Sequence, residues 1–149
     1  MRFTGTIEAK ADAKGRVFFP AVFRRILGES ADERLVLTKD AFQSCLVVYP
    51  WSVWNSQIDE LSRRLNRWNA AHRALLRQFV SDVEVISLDG NGRFLIPRRY
   101  AQMAGITQEV VFLGMDDTVE VWSKQALASQ ALPADDFARQ LENVMADKE

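Results

Sequence analysis

The sequence predicts an α+β protein in which one small structural module is built twice. Two observations predict this class: seven special positions recur at a shift of 77 residues, and β-rich runs, turn sequences and helical patterns follow one another around them. The chain has 149 residues, of which 48% are hydrophobic, so it can bury a core. Each half alone would bury a lower fraction of its surface. The halves are therefore expected to pack against each other or against other subunits.

The repeat is defined mainly by residues with backbone roles. A shift of 77 positions places Asp12 on Asp89, Gly15 on Gly92, Arg16 on Arg93, Pro20 on Pro97, Phe23 on Tyr100, Ile26 on Met103 and Gly28 on Gly105. The Gly and Pro matches are the most informative, because each suits a particular backbone conformation. We expect two copies of one backbone plan.

Each copy should begin with two strands joined by a tight turn. The predicted strands are 3–10 and 17–19 in the first copy, and 83–88 and 94–96 in the second. In each turn an Asp can accept hydrogen bonds from the nearby backbone, and Gly15 or Gly92 supplies a positive φ at little cost. Asn91-Gly92 is in addition a strong signal for a hairpin.

A two-turn helix and a second pair of strands should follow each turn. Pro20 and Pro97 stand where the helix begins, since no backbone donor is lost there, and Gly28 and Gly105 end it. The second pair of strands is predicted at 35–38 and 45–49 in the first copy, and at 109–113 and 118–122 in the second.

The segment between the copies has the apolar spacing of helices. It predicts two helices over 53–80 that break near 66–69, with Ser52 as the N-cap. A last helix is expected from about 123 to 131 and again from 135 to 145, interrupted at Pro133. The expected organisation is a first module (1–52), a helical connector (53–82), a second module (83–124) and a C-terminal helical segment (125–149).

Charge is distributed unevenly along the chain. The formal net charge is −1, which excludes a strongly basic protein. Residues 1–28 nevertheless carry six basic and two acidic side chains, whereas 125–149 carry two basic and five acidic ones. This asymmetry points to an anionic partner at the basic end, with ordinary solvated charge as the alternative. No apolar leader and no run of about 18 apolar residues occur, so we expect a cytoplasmic protein without a membrane span.

The residues that usually carry catalysis or bind metals are few. Cys45 and His72 are each the only residue of their type, which excludes a disulfide within the chain and a Cys/His zinc site. Cys45 is expected in the core and His72 on the solvent side of a helix. Residues 89–92 resemble the start of a calcium loop, but Tyr100 stands where the bidentate Glu is needed. We therefore expect no enzyme, metal, cofactor or small-molecule substrate.

Paired acidic residues and tryptophans have structural explanations. Asp116-Asp117 and Asp135-Asp136 are better explained by a turn and a helix start than by acid–base catalysis. The tryptophans are expected in the core or in subunit packing, in particular Trp51, Trp54 and Trp122.

These motifs resemble those of the bacterial MraZ family. The first half matches in Asp12-Ala-Lys-Gly-Arg16, Pro20-Ala-Val-Phe-Arg24, Leu35-Val-Leu-Thr38 and Cys45-Leu-Val-Val-Tyr49-Pro50. The second matches in Asp89-Gly-Asn-Gly-Arg93, Phe94-Leu-Ile-Pro97, Val110-Val-Phe-Leu-Gly114 and Val119-Glu-Val-Trp122. The resemblance covers nearly all of residues 1–124.

The resemblance implies a fold, an assembly and a function. The two modules would be AbrB-like swapped hairpins packed as a pseudo-dimer within one chain, and the chains would form closed homo-oligomeric rings. The family acts as a transcriptional regulator on double-stranded DNA, at repeated short sites upstream of the division and cell-wall gene cluster that contains its own gene. It is found with the nucleoid in the cytoplasm.

Candidate DNA contacts follow from matched positions. Lys14, Arg16 and Arg24 match basic residues of the family's first copy, Arg93 matches the signature Arg of the second, and Arg2 and Arg25 are added from charge alone. The structural alternative for Arg16 and Arg93 is an ion pair with the Asp four positions earlier.

The second copy departs from the family pattern, and other functions stay open. Asn91 and Ala101 replace its basic residues, so the first copy is expected to hold DNA and the second to complete the fold. The alternatives are an AbrB-like antitoxin, a protein–protein scaffold without DNA, and an enzyme, which is disfavoured because no catalytic constellation is found.

Overall fold

The computed structural model describes residues 1–28 and 34–146. Within these ranges lie eight strands and six helices, so the predicted α+β class is confirmed. In chain order they are β1 (Thr6–Lys10), β2 (Arg16–Phe18), α1 (Ala21–Leu27), β3 (Leu35–Lys39), β4 (Leu46–Pro50), α2 (Trp51–Arg64), α3 (Ala70–Ser81), β5 (Val83–Ile86), β6 (Arg93–Leu95), α4 (Arg98–Ala104), β7 (Glu109–Met115), β8 (Thr118–Trp122), α5 (Lys124–Ala128) and α6 (Ala134–Ala146). Residues 29–33 of the expected first module and 147–149 of the expected C-terminal segment lie outside the described residues.

The main sheet interleaves the two copies. Its six antiparallel strands run in the order β1-β7-β8-β4-β3-β5. The first strand of each copy pairs with the hairpin of the other copy: Ala9 of β1 lies opposite Val110 of β7, and Ile86 of β5 lies opposite Leu35 of β3. The two hairpins meet in the middle of the sheet, where β4 pairs with β8. Neither copy completes its sheet without the other.

A second, two-stranded sheet is also shared between the copies. β2 of the first copy pairs antiparallel with β6 of the second, and Val17 lies opposite Phe94 at its centre. Both of these side chains are buried. The small sheet therefore closes over the common core, and each copy supplies one half of it.

The turns of the two copies form as predicted, but their strands do not pair with each other. The backbone N–H of Asp12 donates to the carbonyl of Arg16, and that of Asp89 to the carbonyl of Arg93, each at 2.8 Å. The hairpin suggested by Asn91-Gly92 is wrong as a strand pairing, since β5 and β6 belong to different sheets. The other copy provides both partner strands, and pairing with it is what buries the apolar side of β2 and β6.

Several element ends differ from prediction. β1 begins at Thr6, and Phe3 instead forms an isolated bridge with Asp116. α2 begins directly after Pro50, so Ser52 as its N-cap is wrong; Pro at that position loses no helical hydrogen bond. Gly105 ends α4 in the left-handed conformation, as Gly at that position often does.

The connector is a helical hairpin, and its predicted break is confirmed. α2 and α3 are separated by residues 65–69, and the side chain of Asn69 caps α3 by accepting from the N–H of His72 at 3.1 Å. Trp54 of α2 stacks on Phe79 of α3, with ring centres 5.4 Å apart. The expected interruption at Pro133 lies between α5 and α6.

A cluster of aromatic rings joins both copies in one core. Phe19 of the first copy lies 6.2 Å from Phe94 and 5.9 Å from Phe112 of the second, between ring centres, and 6.1 Å from Phe23. The pairs of Phe19 with Phe94 and Phe112 are edge-to-face, and such pairs add to the stabilisation from apolar burial. The core therefore couples the stability of the two halves.

We predict that Phe19→Ala destabilises the whole chain and not one half. Deleting a buried Phe ring lowers the free energy of unfolding by about 3–5 kcal/mol. Urea denaturation followed by tryptophan fluorescence should show one transition, displaced to lower urea. Phe42→Ala is the matched control, because Phe42 is 90% exposed, and it should change stability by less than about 0.5 kcal/mol. Two separate transitions would contradict a shared core.

Candidate nucleic-acid interface

The exposed side of the β2–β6 sheet is the best candidate for a binding surface. Successive side chains of a strand point to opposite sides, so four side chains lie opposite the buried Val17 and Phe94. We call these four the ribbon face: Arg16, Phe18, Arg93 and Leu95. Phe18 and Leu95 are 53% and 50% exposed although they are large apolar residues.

The ribbon face is built from equivalent positions of the two copies. Arg16 lies opposite Leu95, and Phe18 opposite Arg93, so each arginine faces an apolar residue of the other copy. The guanidinium carbon of Arg93 lies 5.9 Å from the centre of the Phe18 ring. The structure therefore brings Arg16 and Arg93, from positions 77 residues apart, onto one small surface.

Each arginine is held by the aspartate of its own turn. Oδ1 of Asp12 accepts the backbone N–H groups of Lys14 and Arg16, and Oδ2 accepts Nε–H of Arg16, all at 2.9 Å. Asp89 accepts the corresponding hydrogen bonds in the second copy, including Nε–H of Arg93 at 3.0 Å. The predicted Asp–Arg ion pairs are confirmed. One such pair does not exhaust a guanidinium, which carries five N–H donors.

The same hydrogen bonds shift the pKa of each carboxyl group. The pKa of Asp12 is lowered chiefly by the backbone N–H of Arg16, and then by Lys14 and by the Arg16 side chain, although partial burial opposes this. The pKa of Asp89 is lowered in the same way by Arg93 and Asn91. Both aspartates are therefore charged, and they stabilise their turns through these hydrogen bonds.

Glycine is required in both turns for conformation and for space. Gly15 and Gly92 have φ values of +90° and +85°, which L side chains rarely adopt. A Cβ atom on Gly15 would lie 2.9 Å from the carbonyl oxygen of Ile96, and one on Gly92 would overlap the guanidinium of Arg24. In each turn the obstructing atom comes from the other copy.

Arg24 lies behind the second turn. Its guanidinium packs against Gly92, and it is partly buried. Its Nε is enclosed and has no hydrogen-bond partner among the described residues. Arg24 lines a cleft of about 380 Å³ together with Leu88 and Gly28. In this arrangement Arg24 supports the turn that carries Arg93.

The other predicted contacts are distributed over the molecule. Lys14 is exposed in the first turn, next to the ribbon face, and Arg25 is exposed in the last turn of α1. Arg2 precedes β1, on the side of that strand away from the first turn, and its Nε is 3.6 Å from a carboxylate oxygen of Asp116. The structure thus groups Lys14 with Arg16 and Arg93, and leaves Arg2 apart.

Sequence reasoning missed the apolar half of the ribbon face. The sequence predicts that Phe18 and Leu95 lie in apolar strands, but it does not indicate which side of the sheet they occupy. Their outward direction follows from the alternation around the buried Val17 and Phe94. It also missed Arg99, whose guanidinium pairs with Asp82 at 2.7 Å and so helps to lower the pKa of Asp82. No local pattern joins those two residues.

Cysteine, histidine and tryptophan side chains occupy structural positions. Cys45 is buried in the core, as predicted, and burial raises the pKa of its thiol to about 12. His72 as a solvent-side residue is wrong: it is half-buried, and its Nδ1 accepts the backbone N–H of Asn66 at 2.8 Å. Trp54 and Trp122 are buried as expected, but Trp68 is 89% exposed.

Neither a metal-binding cluster nor a membrane-spanning helix is found in the described parts of the chain. In residues 1–28 and 34–146, no three His, Cys, Asp or Glu side chains are grouped so that they could hold a metal ion. None of the helices in those ranges combines the length and the apolar character that crossing a membrane requires.

Comparison with known proteins identifies the family. A family model described as "MraZ protein, putative antitoxin-like" matches residues 2–78 and again residues 80–143. These two matches, one over each half, support a tandem repeat. The chain belongs to the MraZ family.

Close relatives cover almost the whole chain. A protein of Phocaeicola vulgatus is 57% identical over 145 residues, which are 97% of this chain and 94% of the relative. A protein of Bacteroides fragilis is 52% identical over 148 residues, and one of Bacteroides thetaiotaomicron is 49% identical over 148 residues; both alignments include 99% of this chain, and 94% and 95% of the relatives. All three are named Transcriptional regulator MraZ.

We predict that Gly92→Ala is costly whereas Gly90→Ala is not. Ala at position 92 must adopt a positive φ and displace Arg24, so the free energy of unfolding should fall by more than about 1 kcal/mol. Position 90 has open space and no positive φ, so Ala there should be neutral or slightly stabilising. Equal costs in thermal denaturation would contradict this geometry. In the Arg24→Ala background, the cost of Gly92→Ala should be smaller.

We also predict that Asp89 contributes stability that depends on pH. Because its pKa in the folded protein lies below the ordinary value of 3.8, the contribution is complete above that value and is lost as the pH falls through the lowered pKa. Asp89→Asn should therefore be less stable than the parent at pH 7, and the difference should shrink in acid. Urea denaturation between pH 7 and pH 3 measures it. A difference that is constant with pH would show that the charge plays no part.

Proposed function

We propose that this protein is a transcriptional regulator that reads duplex DNA with the ribbon face. The observation that carries the proposal is the pair of arginines, Arg16 and Arg93, on the exposed side of a two-stranded antiparallel sheet. The regulator names of the relatives support the same role.

The ribbon face has the shape and chemistry for the major groove. That groove admits a two-stranded β-ribbon, and arginine is the commonest reader of guanine there, through O6 and N7. The hydrogen bond from Nε to aspartate restrains each guanidinium, which lowers the entropic cost of placing it against a base. Phe18 and Leu95 supply apolar surface of the kind that contacts thymine methyl groups.

Contacts to phosphate would come from exposed basic residues of the first copy. Lys14 is exposed in the first turn, next to the ribbon face, and Arg25 is exposed in the last turn of α1. With a net charge of −1 the chain can neutralise few phosphates, so a single subunit should bind DNA weakly. Arg24 and Arg2 contribute less in this proposal, because one supports a turn and the other lies apart.

Because a single subunit should bind DNA weakly, we expect several subunits to bind several DNA sites at once. We infer that several chains assemble as a closed ring and bind repeated short sites upstream of the division and cell-wall gene cluster, including the protein's own gene. Linked modules gain affinity without new contacts, because the second binding event is intramolecular. Such a regulator would be found with the nucleoid in the cytoplasm.

The fold assignment within this proposal is the AbrB-like swapped hairpin. It is supported by the exchange of β1 and β5 between the copies, and by the shared β2–β6 sheet. The division into a first module, connector, second module and C-terminal segment is retained, with boundaries near 52, 82 and 124.

The experiment is fluorescence anisotropy on labelled duplex from upstream of the protein's own gene. Arg16→Ala and Arg93→Ala should each weaken binding by roughly 5- to 150-fold, which corresponds to about 1–3 kcal/mol for one guanine contact. Lys39→Ala is the control: it removes an exposed cation at the end of β3, away from the ribbon face.

A scrambled duplex separates base contacts from phosphate contacts. Lys14→Ala should weaken binding to both duplexes equally and reduce the salt dependence by about one unit of slope. Arg16→Ala should reduce the preference for the upstream sequence. If both arginine variants bind as the parent does, the ribbon face is not the DNA surface. If the parent itself shows no salt-dependent binding, the scaffold function is favoured.

A further inference from the structure

The last helix carries an apolar stripe that nothing in the described chain covers. α6 has no buried residue. Phe137, Leu141, Val144 and Met145 recur with the spacing of one helical face, and they are 57%, 49%, 66% and 65% exposed. A contiguous exposed apolar surface of this kind marks an interaction site. The stripe is accompanied by carboxylates, because Asp135, Asp136 and Glu142 lie on the same helix.

The connector hairpin presents a surface of the opposite charge. Residues 51–81 contain five arginines and two acidic residues, whereas α6 contains three acidic residues and one arginine. Arg63 and Arg64 pair with Glu60 of their own helix, and Arg139 pairs with Asp136 of α6. The charges that can complement each other between the surfaces therefore include Arg67 and Arg73 of the hairpin, and Asp135 and Glu142 of α6. At the tip of the hairpin Trp68 is 89% exposed. Tryptophan and arginine are the residues most enriched at the energetic centres of interfaces.

The tip of the hairpin also contains a cleft that suits an aromatic anchor. Its volume is about 310 Å³, and it lies between α2 and α3. Leu65 and Leu76 supply apolar surface to the cleft, and Arg67 and Arg73 supply charge. An apolar side chain flanked by carboxylates matches this combination, and Phe137 directly follows Asp135 and Asp136.

We propose that α6 of one copy of this chain docks on the α2–α3 hairpin of a second copy. Phe137 enters the cleft beside Trp68, and the carboxylates of α6 face Arg67 and Arg73. The occupant is a second copy because the chain carries both complementary surfaces, and α6 does not cover the hairpin of its own chain. Two different surfaces meet in this contact, so it is heterologous, and it can continue from one subunit to the next.

This inference names the surfaces for the self-association included in the proposed function, and it does not depend on the ribbon face. The test is therefore carried out without DNA, by native mass spectrometry and light scattering on the full chain. Phe137→Asp changes the α6 surface, and Arg73→Glu changes the hairpin surface. Both residues are exposed, so the variants should stay folded, which circular dichroism checks. Phe42→Asp alters an exposed Phe outside both surfaces.

The parent and Phe42→Asp should assemble, and each of the other two variants should have a lower mass. Mixing these two variants is the decisive step. Phe137→Asp keeps an intact hairpin and Arg73→Glu keeps an intact α6, so a heterologous contact predicts a species with one copy of each. A monomeric parent, a variant with the parent's mass, or a mixture that forms no such pair would overturn the proposal. If Arg73→Glu keeps the parent's mass, the same variant is then measured by anisotropy on the labelled upstream duplex. A loss of DNA affinity there would show that the hairpin is a nucleic-acid surface instead.

Discussion

The strand-pairing hydrogen bonds of β1, β2, β5 and β6 run between the two halves of the chain. β1 finds its partner in β7, β5 in β3, and β2 in β6. An unpaired buried strand would leave backbone donors and acceptors unsatisfied, which is costly. Each half therefore needs the other. The cluster of aromatic side chains around Phe19, which contains residues of both halves, follows from this pairing of strands between the halves. Because both halves belong to one chain, this pairing does not depend on protein concentration.

The shared β2–β6 sheet shows how the exchange creates a candidate site. In a hairpin made by one copy, a turn would place its arginine beside residues of its own strand. Here Arg16 faces Leu95 and Arg93 faces Phe18, so two short strands from distant parts of the chain make one surface. The aspartates restrain the arginines, and the glycines let the turns approach the other copy closely. Site and core thus depend on the same pairing.

Features that depend on local chemistry were predictable from the sequence. The Asp-to-Arg turns, the helices that begin after Pro20 and Pro97, and the break in the connector each arise from neighbouring residues, and they are found where expected. Strand partners were not predictable in this way. Asn91-Gly92 specifies a turn, but it does not specify which strand lies beside β6, since that depends on how Val17 and Phe94 share a core.

The positions of long side chains were also beyond local reasoning. Arg24 matched a family motif, but its place behind Gly92 depends on how α1 meets the turn of the other copy. His72 is half-buried where its ring accepts the hydrogen bond from Asn66, and Trp68 is exposed because it lies at the tip of the hairpin. To predict the position of such a side chain, one must know how segments that are distant in the sequence pack together, or what shape a turn takes when no motif encodes it.

Arg24 has a further consequence for the symmetry of the molecule. In a dimer of identical chains, an arginine behind one turn would be repeated behind the other. Here Arg24 supports the turn of Gly92, while its counterpart at the other end is Ala101, and Gly15 meets a backbone carbonyl instead. The two ends of the β2–β6 sheet are therefore chemically distinct. The surface has a polarity along its length, so in the proposed role it would bind a non-palindromic site with different contacts in the two possible orientations.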